Sequence, residues 1–160
     1  MSPIKIFNDP VHGFIEIPRN IVLRVIDHPY VQRLRRIRQL GLGALVYPGA
    51  IHTRFSHALG AMCLTQEALR VLRAKGVPLS EAEHTGALLA ILLHDVGHGP
   101  FSHALEHTLA PALPHEAMSR LLMARLNMEF DGALTEAIRI FEGKHPRAFL
   151  SQLISSQLDM

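Results

Sequence analysis

Residues 87–103 read ALLAILLHDVGHGPFSH, and this run decides the fold class. Every residue from Ala87 to Leu93 is apolar. A helix that is apolar on all sides has no solvated face, so it belongs in the interior of a helical domain. Its far end carries His94 and Asp95, with His98 about one turn further on. An imidazole and a carboxylate at the end of a buried helix are costly unless something compensates them. A bound divalent cation is the simplest compensation, because neutral imidazole nitrogen and carboxylate oxygen both ligate first-row metals. Sites of that composition commonly activate water for hydrolysis.

Two ligands make a weak site, and neighbouring residues leave a helix about 100° apart. The best third ligand is His57, in the segment HTRFSHALG at 52–60. It stands near the start of a long helix expected over 55–75, which Gly76 ends. Ser80 with Glu83 forms the capping box of the next helix, the one that runs down to His94. Antiparallel packing of two consecutive helices puts the start of the first beside the end of the second. His57 would then face His94 and Asp95.

The rest of the chain reads as mostly α, a helical bundle with a small N-terminal β-hairpin. Residues 4–7 alternate, Asn8-Asp9-Pro10 turns, and 13–17 return;. A short helix follows Asn20 and runs to Asp27. A second is expected over 30–40, with Val31, Leu34 and Ile37 as its buried stripe and Gly41-Leu42-Gly43 as its end. Residues 44–53 read as irregular. Further helices are expected over 101–109, 115–126, 131–141 and 146–158. No repeat or low-complexity linker divides residues 1–160, which read as a single domain.

Hydrophobic residues make up 48% of the 160 and charged residues 19%, a globular composition. No apolar run approaches the roughly 20 residues that span a bilayer, and the N-terminus lacks a signal-peptide pattern. The single cysteine, Cys63, excludes an internal disulfide and reads as a packing residue, so the cytoplasm is the expected location;. Net charge is only +2, yet Arg24, Arg33, Arg35, Arg36 and Arg38 cluster. Guanidinium forks suit phosphate. The plainer reading of each arginine is a solvated helix face. His12, His28, His84, His107 and His145 read as structural or surface residues, and His52 as loop scaffolding near the pocket.

The pattern of one histidine followed by His-Asp on a later helix resembles the HD superfamily of metal-dependent phosphohydrolases. The similarity is closer still to the SAM-and-HD-domain deoxynucleoside triphosphate triphosphohydrolases and their bacterial relatives. It is carried by FNDPVHG at 7–13, QRLR at 32–35, QLG at 39–41, YPGA at 47–50, HTRFSHALG at 52–60 and HDVGHGPFSH at 94–103. This resemblance implies that His57, His94 and Asp95 are three of four ligands to one divalent ion, whether iron, manganese, zinc, nickel or magnesium. It implies that Arg54, His98, His103 and His115 surround the substrate phosphates, with His103 placed to protonate the leaving group. Gln39 and Leu40 match positions that line the deoxyribose. Asn8, Asp27, Gln32 and Arg35 match an activating-nucleotide site. Homo-oligomerisation is implied as well. The family pattern Leu-Asp-x-Asp-Arg places the fourth ligand on its second Asp. Here Leu158-Asp159-Met160 stops one residue short of it, as a fragment of a longer protein would.

Three readings compete. The first is a dNTP triphosphohydrolase, favoured by the Gln39-Leu40 match. The second is an HD phosphatase acting on another phosphate ester or nucleotide. The third is a non-catalytic nucleotide-binding module, or less favourably a nucleic-acid-binding one, built on the arginines of 33–38. An enzyme is preferred because a binding module gives no reason to place His94 and Asp95 at the end of a buried helix.

Overall fold

A computed structural model of the chain describes residues 4–101 and 114–155. β1 (Ile4–Asp9) and β2 (Gly13–Pro18) form an antiparallel hairpin with Asn8 opposite Phe14. The Asp9 carboxylate accepts the amides of Val11 and His12, both at 2.9 Å, and so closes the turn;. Ile15 and Ile17 are buried while their neighbours face out, the period-two pattern of a strand with one covered face;. α1 (Ile21–Ile26) starts on Asn20, whose side chain accepts the Val22 amide;.

The expected helix over 30–40 is not continuous. α2 (Pro29–Gln32) gives way to a 3-10 turn at Arg33–Arg36, and Ile37 is already extended. Beyond it Arg38 bridges Thr53, the Gln39 amide donates to the His52 carbonyl at 3.1 Å, and the Arg54 amide donates to the Ile37 carbonyl at 2.9 Å. These bonds to the strand-like approach of the next helix replace the helical ones. A second 3-10 turn, Gly41–Leu45, occupies the start of the stretch expected to be irregular.

α3 (Arg54–Ala74) is capped by the Thr53 side chain and closes through Gly76 at φ 83°, with the Val77 amide on the Leu72 carbonyl at 3.0 Å;. α4 (Glu81–Leu93) opens on the Ser80–Glu83 capping box, and Gly86 through Leu93 are all buried. α1, α3, α6 (Thr135–Phe141) and α7 (Ala148–Ile154) all pack on α4, which is therefore the axis of the core. α5 (His115–Glu129) packs against α6. The helix expected over 131–141 begins later because Asp131 and Gly132 adopt φ 52° and 84°, outside the helical region;. Beyond Phe101, the helix expected over 101–109 lies outside the described residues, as do His103, His107 and Asp159. His145, expected at the surface, is instead covered, with its Nε2 2.7 Å from Glu136 Oε1. Among the described residues no helix is long and apolar enough to cross a membrane.

Candidate metal centre and its pocket

The first turn of α3 puts Arg54 and His57 three residues apart, on one face. The chain leaves α4 at His94 in a tight turn, with the Val96 amide on the Leu93 carbonyl and the His98 amide on the Asp95 carbonyl. α3 and α4 pack together, and the result is the expected convergence. Ligand atoms of His57, His94 and Asp95 all lie within 4.8 Å of one another, the one such group of His, Cys, Asp or Glu among the described residues.

Each donor is held. His94 Nδ1 lies 2.6 Å from the Ile91 carbonyl, so it carries the proton and leaves Nε2 as the ligating nitrogen;. That Nε2 sits 3.4 Å from Asp95 Oδ1. The rings of His57 and His94 meet edge to face with centroids 5.4 Å apart. Asp95 Oδ2 accepts from Arg54 Nη1 at 2.5 Å, and Arg54 is 3% exposed. Two imidazoles and a carboxylate form a donor set suited to a divalent first-row ion, and a locked His94 tautomer fits that role.

Electrostatics favour the ionised carboxylate. Burial alone would raise the Asp95 carboxyl. The hydrogen bond with His98 and the charges of His94, His98 and Arg54 outweigh that and hold it well below the usual carboxylate range;. Burial lowers the His98 imidazole, against the pull of Asp95 in the other direction.

His98 is stacked on His115, with ring centroids 3.9 Å apart at 16°. Two residues that the sequence did not single out set this stack. Ser119 Oγ donates to the His94 carbonyl at 3.0 Å and accepts the Gly97 amide at 2.9 Å, tying α5 to the end of α4. Gly97 is there because a Cβ would lie 2.2 Å from the His115 carbonyl oxygen and 2.4 Å from the Ser119 nitrogen. A third, Arg33, was grouped with the anion-binding cluster. It faces inward instead, and its guanidinium donates to the His98 carbonyl at 2.8 Å and to the Val96 carbonyl. No sequence signal distinguishes Ser119 from any other helical serine, and Gly97 stands in the quoted HDVGHGPFSH stretch with no role read from it.

Of the remaining arginines, Arg36 and Arg38 line one hollow, and Arg38 also lines the metal cavity described below. Arg24 lies over the Phe130 ring at 4.9 Å and Arg35 over Phe55 at 3.7 Å. The metal donors sit in a cavity of about 680 Å³ that is also lined by Gln39, Leu40, Arg54, His98 and His115. Gln39 Oε1 is buried without a hydrogen-bond partner among the described residues, and the neighbouring His52 lines the same cavity. Of the residues matched to an activating site, Gln32 and Arg35 are bonded to each other at 2.8 Å. The Gln32 amide reaches the carbonyl of Ile26, next to Asp27. Asn8 lies on the hairpin, and none of these four residues lines the metal cavity.

Comparison with known proteins agrees with this geometry. The chain is 46% identical over 110 residues to the deoxynucleoside triphosphate triphosphohydrolase SAMHD1 of Mus musculus, a match covering 68% of this chain and 17% of that protein. It is 34% identical over 171 residues to the uncharacterized protein YwfO of Bacillus subtilis, covering 99% of this chain and 38% of that one. The crystal structure of a phosphohydrolase from Bacteroides thetaiotaomicron superposes with a TM-score of 0.94 at 51% identity, over 96% of this chain and 38% of the other. The chain therefore spans well under half the length of each. The HD domain model matches residues 54–154, which include all three metal donors, and the chain belongs to the HD domain family.

Proposed function

We propose that this protein is a metal-dependent phosphohydrolase that converts a deoxynucleoside triphosphate and water to a deoxynucleoside and inorganic triphosphate. The observation that carries the reading is the convergence of His57, His94 and Asp95 in a cavity that also presents Arg54, His98 and His115. The family and the name of the mouse relative supply the substrate class. A divalent cation held by those three residues would supply Lewis acidity to a phosphoryl oxygen and lower the pKa of water.

The protein's own groups do the rest. Arg54, held rigidly against Asp95, and the His98–His115 pair offer positive charge or N–H donors to the phosphate oxygens as negative charge grows on them. Gln39, which lines the cavity, offers its side-chain amide to a sugar hydroxyl. Water attacks the α-phosphorus, the bond to O5′ breaks, and O5′ takes a proton. The resemblance assigns that proton to His103, and imidazole suits the task near neutral pH. In the same reading the 160 residues form one HD unit, Asn8, Asp27, Gln32 and Arg35 receive an activating nucleotide, and the protein self-associates. A nucleic-acid surface over 33–38 is disfavoured, because Arg33 is bonded to backbone carbonyls and Arg35 lies over the Phe55 ring.

The test is product analysis on the full-length protein with each dNTP and a divalent cation. Inorganic triphosphate should appear in step with deoxynucleoside. His94→Ala or Asp95→Ala should lower the rate by more than the roughly 10–100-fold typical of losing an outer-shell partner. Release of monophosphate or pyrophosphate without triphosphate overturns the assignment.

A further inference from the structure

The turn that follows α4 carries both Asp95 and His98, and it is held without the regular hydrogen bonds of a helix. Carbonyls at a helix end have no amide ahead of them, and a buried carbonyl needs a donor from somewhere. Val96 and His98 are both buried, and Arg33 reaches both of their carbonyls. Its Nη1 donates to His98 at 2.8 Å and its Nη2 donates to Val96. The guanidinium comes from the 3-10 turn Arg33–Arg36, 65 positions before His98 in the chain.

The two bonds straddle Gly97. A side chain is excluded there by the His115 carbonyl and the Ser119 amide, and glycine restrains the backbone least of all residues. The crowding that requires glycine therefore leaves His98 on a permissive pivot. A planar fork bonded to the carbonyls on either side of that pivot fixes its direction. Ser119 holds the same turn from α5, through the His94 carbonyl and the Gly97 amide. Arg33 gives up water to reach this position, since burial lowers its pKa, and both of its hydrogen-bond partners are carbonyls rather than carboxylates.

What this clamp orients is the His98 ring. Its Nε2 lies 3.3 Å from Asp95 Oδ1, and its face stacks on His115 with centroids 3.9 Å apart. The ring is thus set between a metal donor and a second imidazole of the cavity. Arg33 itself does not line that cavity, so any part it has in the chemistry is indirect. We propose that Arg33 is a positioning residue: by bridging the Val96 and His98 carbonyls across Gly97, it fixes the His98 imidazole at the reacting phosphate. The inference rests on the function proposed above and deepens it by naming a residue outside the cavity on which the rate depends.

The experiment compares Arg33→Ala, Arg33→Lys, His98→Ala and the Arg33→Ala, His98→Ala double variant. Each is the full-length protein, assayed with dNTP and a divalent cation at a temperature where it is folded. Arg33→Ala should lower kcat about 10–100-fold, the scale of losing an outer-shell partner, and lower kcat/KM by the same factor. Arg33→Lys keeps the charge but loses the fork, and should keep an intermediate rate. Adding Arg33→Ala to His98→Ala should cost little more than His98→Ala alone, because both changes remove the same positioned imidazole. Imidazole NMR signals, assigned to His98 by their loss in His98→Ala, should shift in Arg33→Ala. Should Arg33→Ala fail to fold, Arg33→Lys takes its place in the cycle and in the spectra. Fully additive losses in the double variant overturn the proposal, as does a raised KM or a lowered Tm with kcat unchanged. Unshifted His98 signals overturn it even without turnover. Wild-type protein that makes no triphosphate from any dNTP overturns the proposed function instead, and the His98 signals still decide the clamp.

Discussion

At the scale of single residues the site is controlled by groups that touch no metal donor atom. Gly97 is the sharpest case, because the carbonyl of His115 and the amide of Ser119 occupy the space a side chain would need. Gly97→Ala must therefore displace the start of α5, and with it His115 from its stack on His98. Crowding of this kind destabilises by about 1–3 kcal/mol or more. Activity should fall further than stability explains, measured as kcat at a temperature where the variant is fully folded. Ser119→Ala is gentler, removing a bridge between the His94 carbonyl and the Gly97 amide at a cost of about 1–3 kcal/mol in a urea titration. Arg54 behaves differently. Removing it leaves the buried Asp95 charge without its cationic partner, a loss of roughly 3–5 kcal/mol for a buried pair. A divalent cation in the medium should restore part of the stability of Arg54→Ala, whereas in EDTA the full deficit should show. Equal deficits with and without the cation would mean that no ion shares Asp95.

Among the elements, α4 was the most legible and the segment after Gln32 the least. An unbroken apolar run has one interpretation, burial, and α4 is buried as read. Val31, Leu34 and Ile37 recur every three residues, which suits an α-helical stripe and a 3-10 turn alike. What chose between them was the pairing of Arg38 and Gln39 with Thr53 and His52, a contact no local pattern reveals. The difference matters functionally, since the break at Ile37 and the Arg38 bridge lead into the turn that carries Gln39 and Leu40 to the cavity. The start of α4 offers an element-scale test. Hydrogen bonding from the Ser80 amide, aided by Arg147 and the Ser80 hydroxyl against a burial effect of opposite sign, lowers the Glu83 carboxyl. Arg147 Nη1 reaches Glu83 at 3.1 Å and so ties the approach to α7 onto the α4 cap. A depressed acid stabilises the fold above its unfolded value, about 4.3, and that contribution disappears as pH falls through the folded value. Glu83→Gln keeps the cap geometry but loses a carboxylate near a helix N-terminus, and should be about 0.3–1 kcal/mol less stable at pH 7. The gap to wild type should close as denaturant titrations move below about pH 4; a gap that ignores pH would place the effect in the cap geometry rather than the charge.

Across the whole molecule, the centre joins segments that are far apart in the chain. The start of α3, the end of α4, the 38–43 stretch and the start of α5 contribute to one cavity. The convergence of His57 with His94 and Asp95 was readable because it follows from two consecutive helices packing antiparallel. The roles of Ser119 and Arg33 were not, because each depends on which backbone atoms lie across a long-range contact. The same convergence makes the ion a cross-link between α3 and the α4 exit, with thermodynamic consequences. The donors come together only in the folded chain, so a cation bound there stabilises the native state by RT ln(1 + [M]/Kd), about 2.7 kcal/mol at a hundredfold excess over Kd. Calorimetry of wild-type protein should show a Tm that climbs with divalent concentration and drops on chelation. His57→Ala and His94→Ala each remove one donor from a different segment, so each should flatten that dependence while the metal-free Tm shifts far less. Gly76→Ala, at a turn with open space around it but φ 83°, should lower Tm at every metal concentration and leave the slope intact. A slope that survives loss of His57 would mean that the ion is held at the end of α4 alone, and the two helices would no longer share a centre.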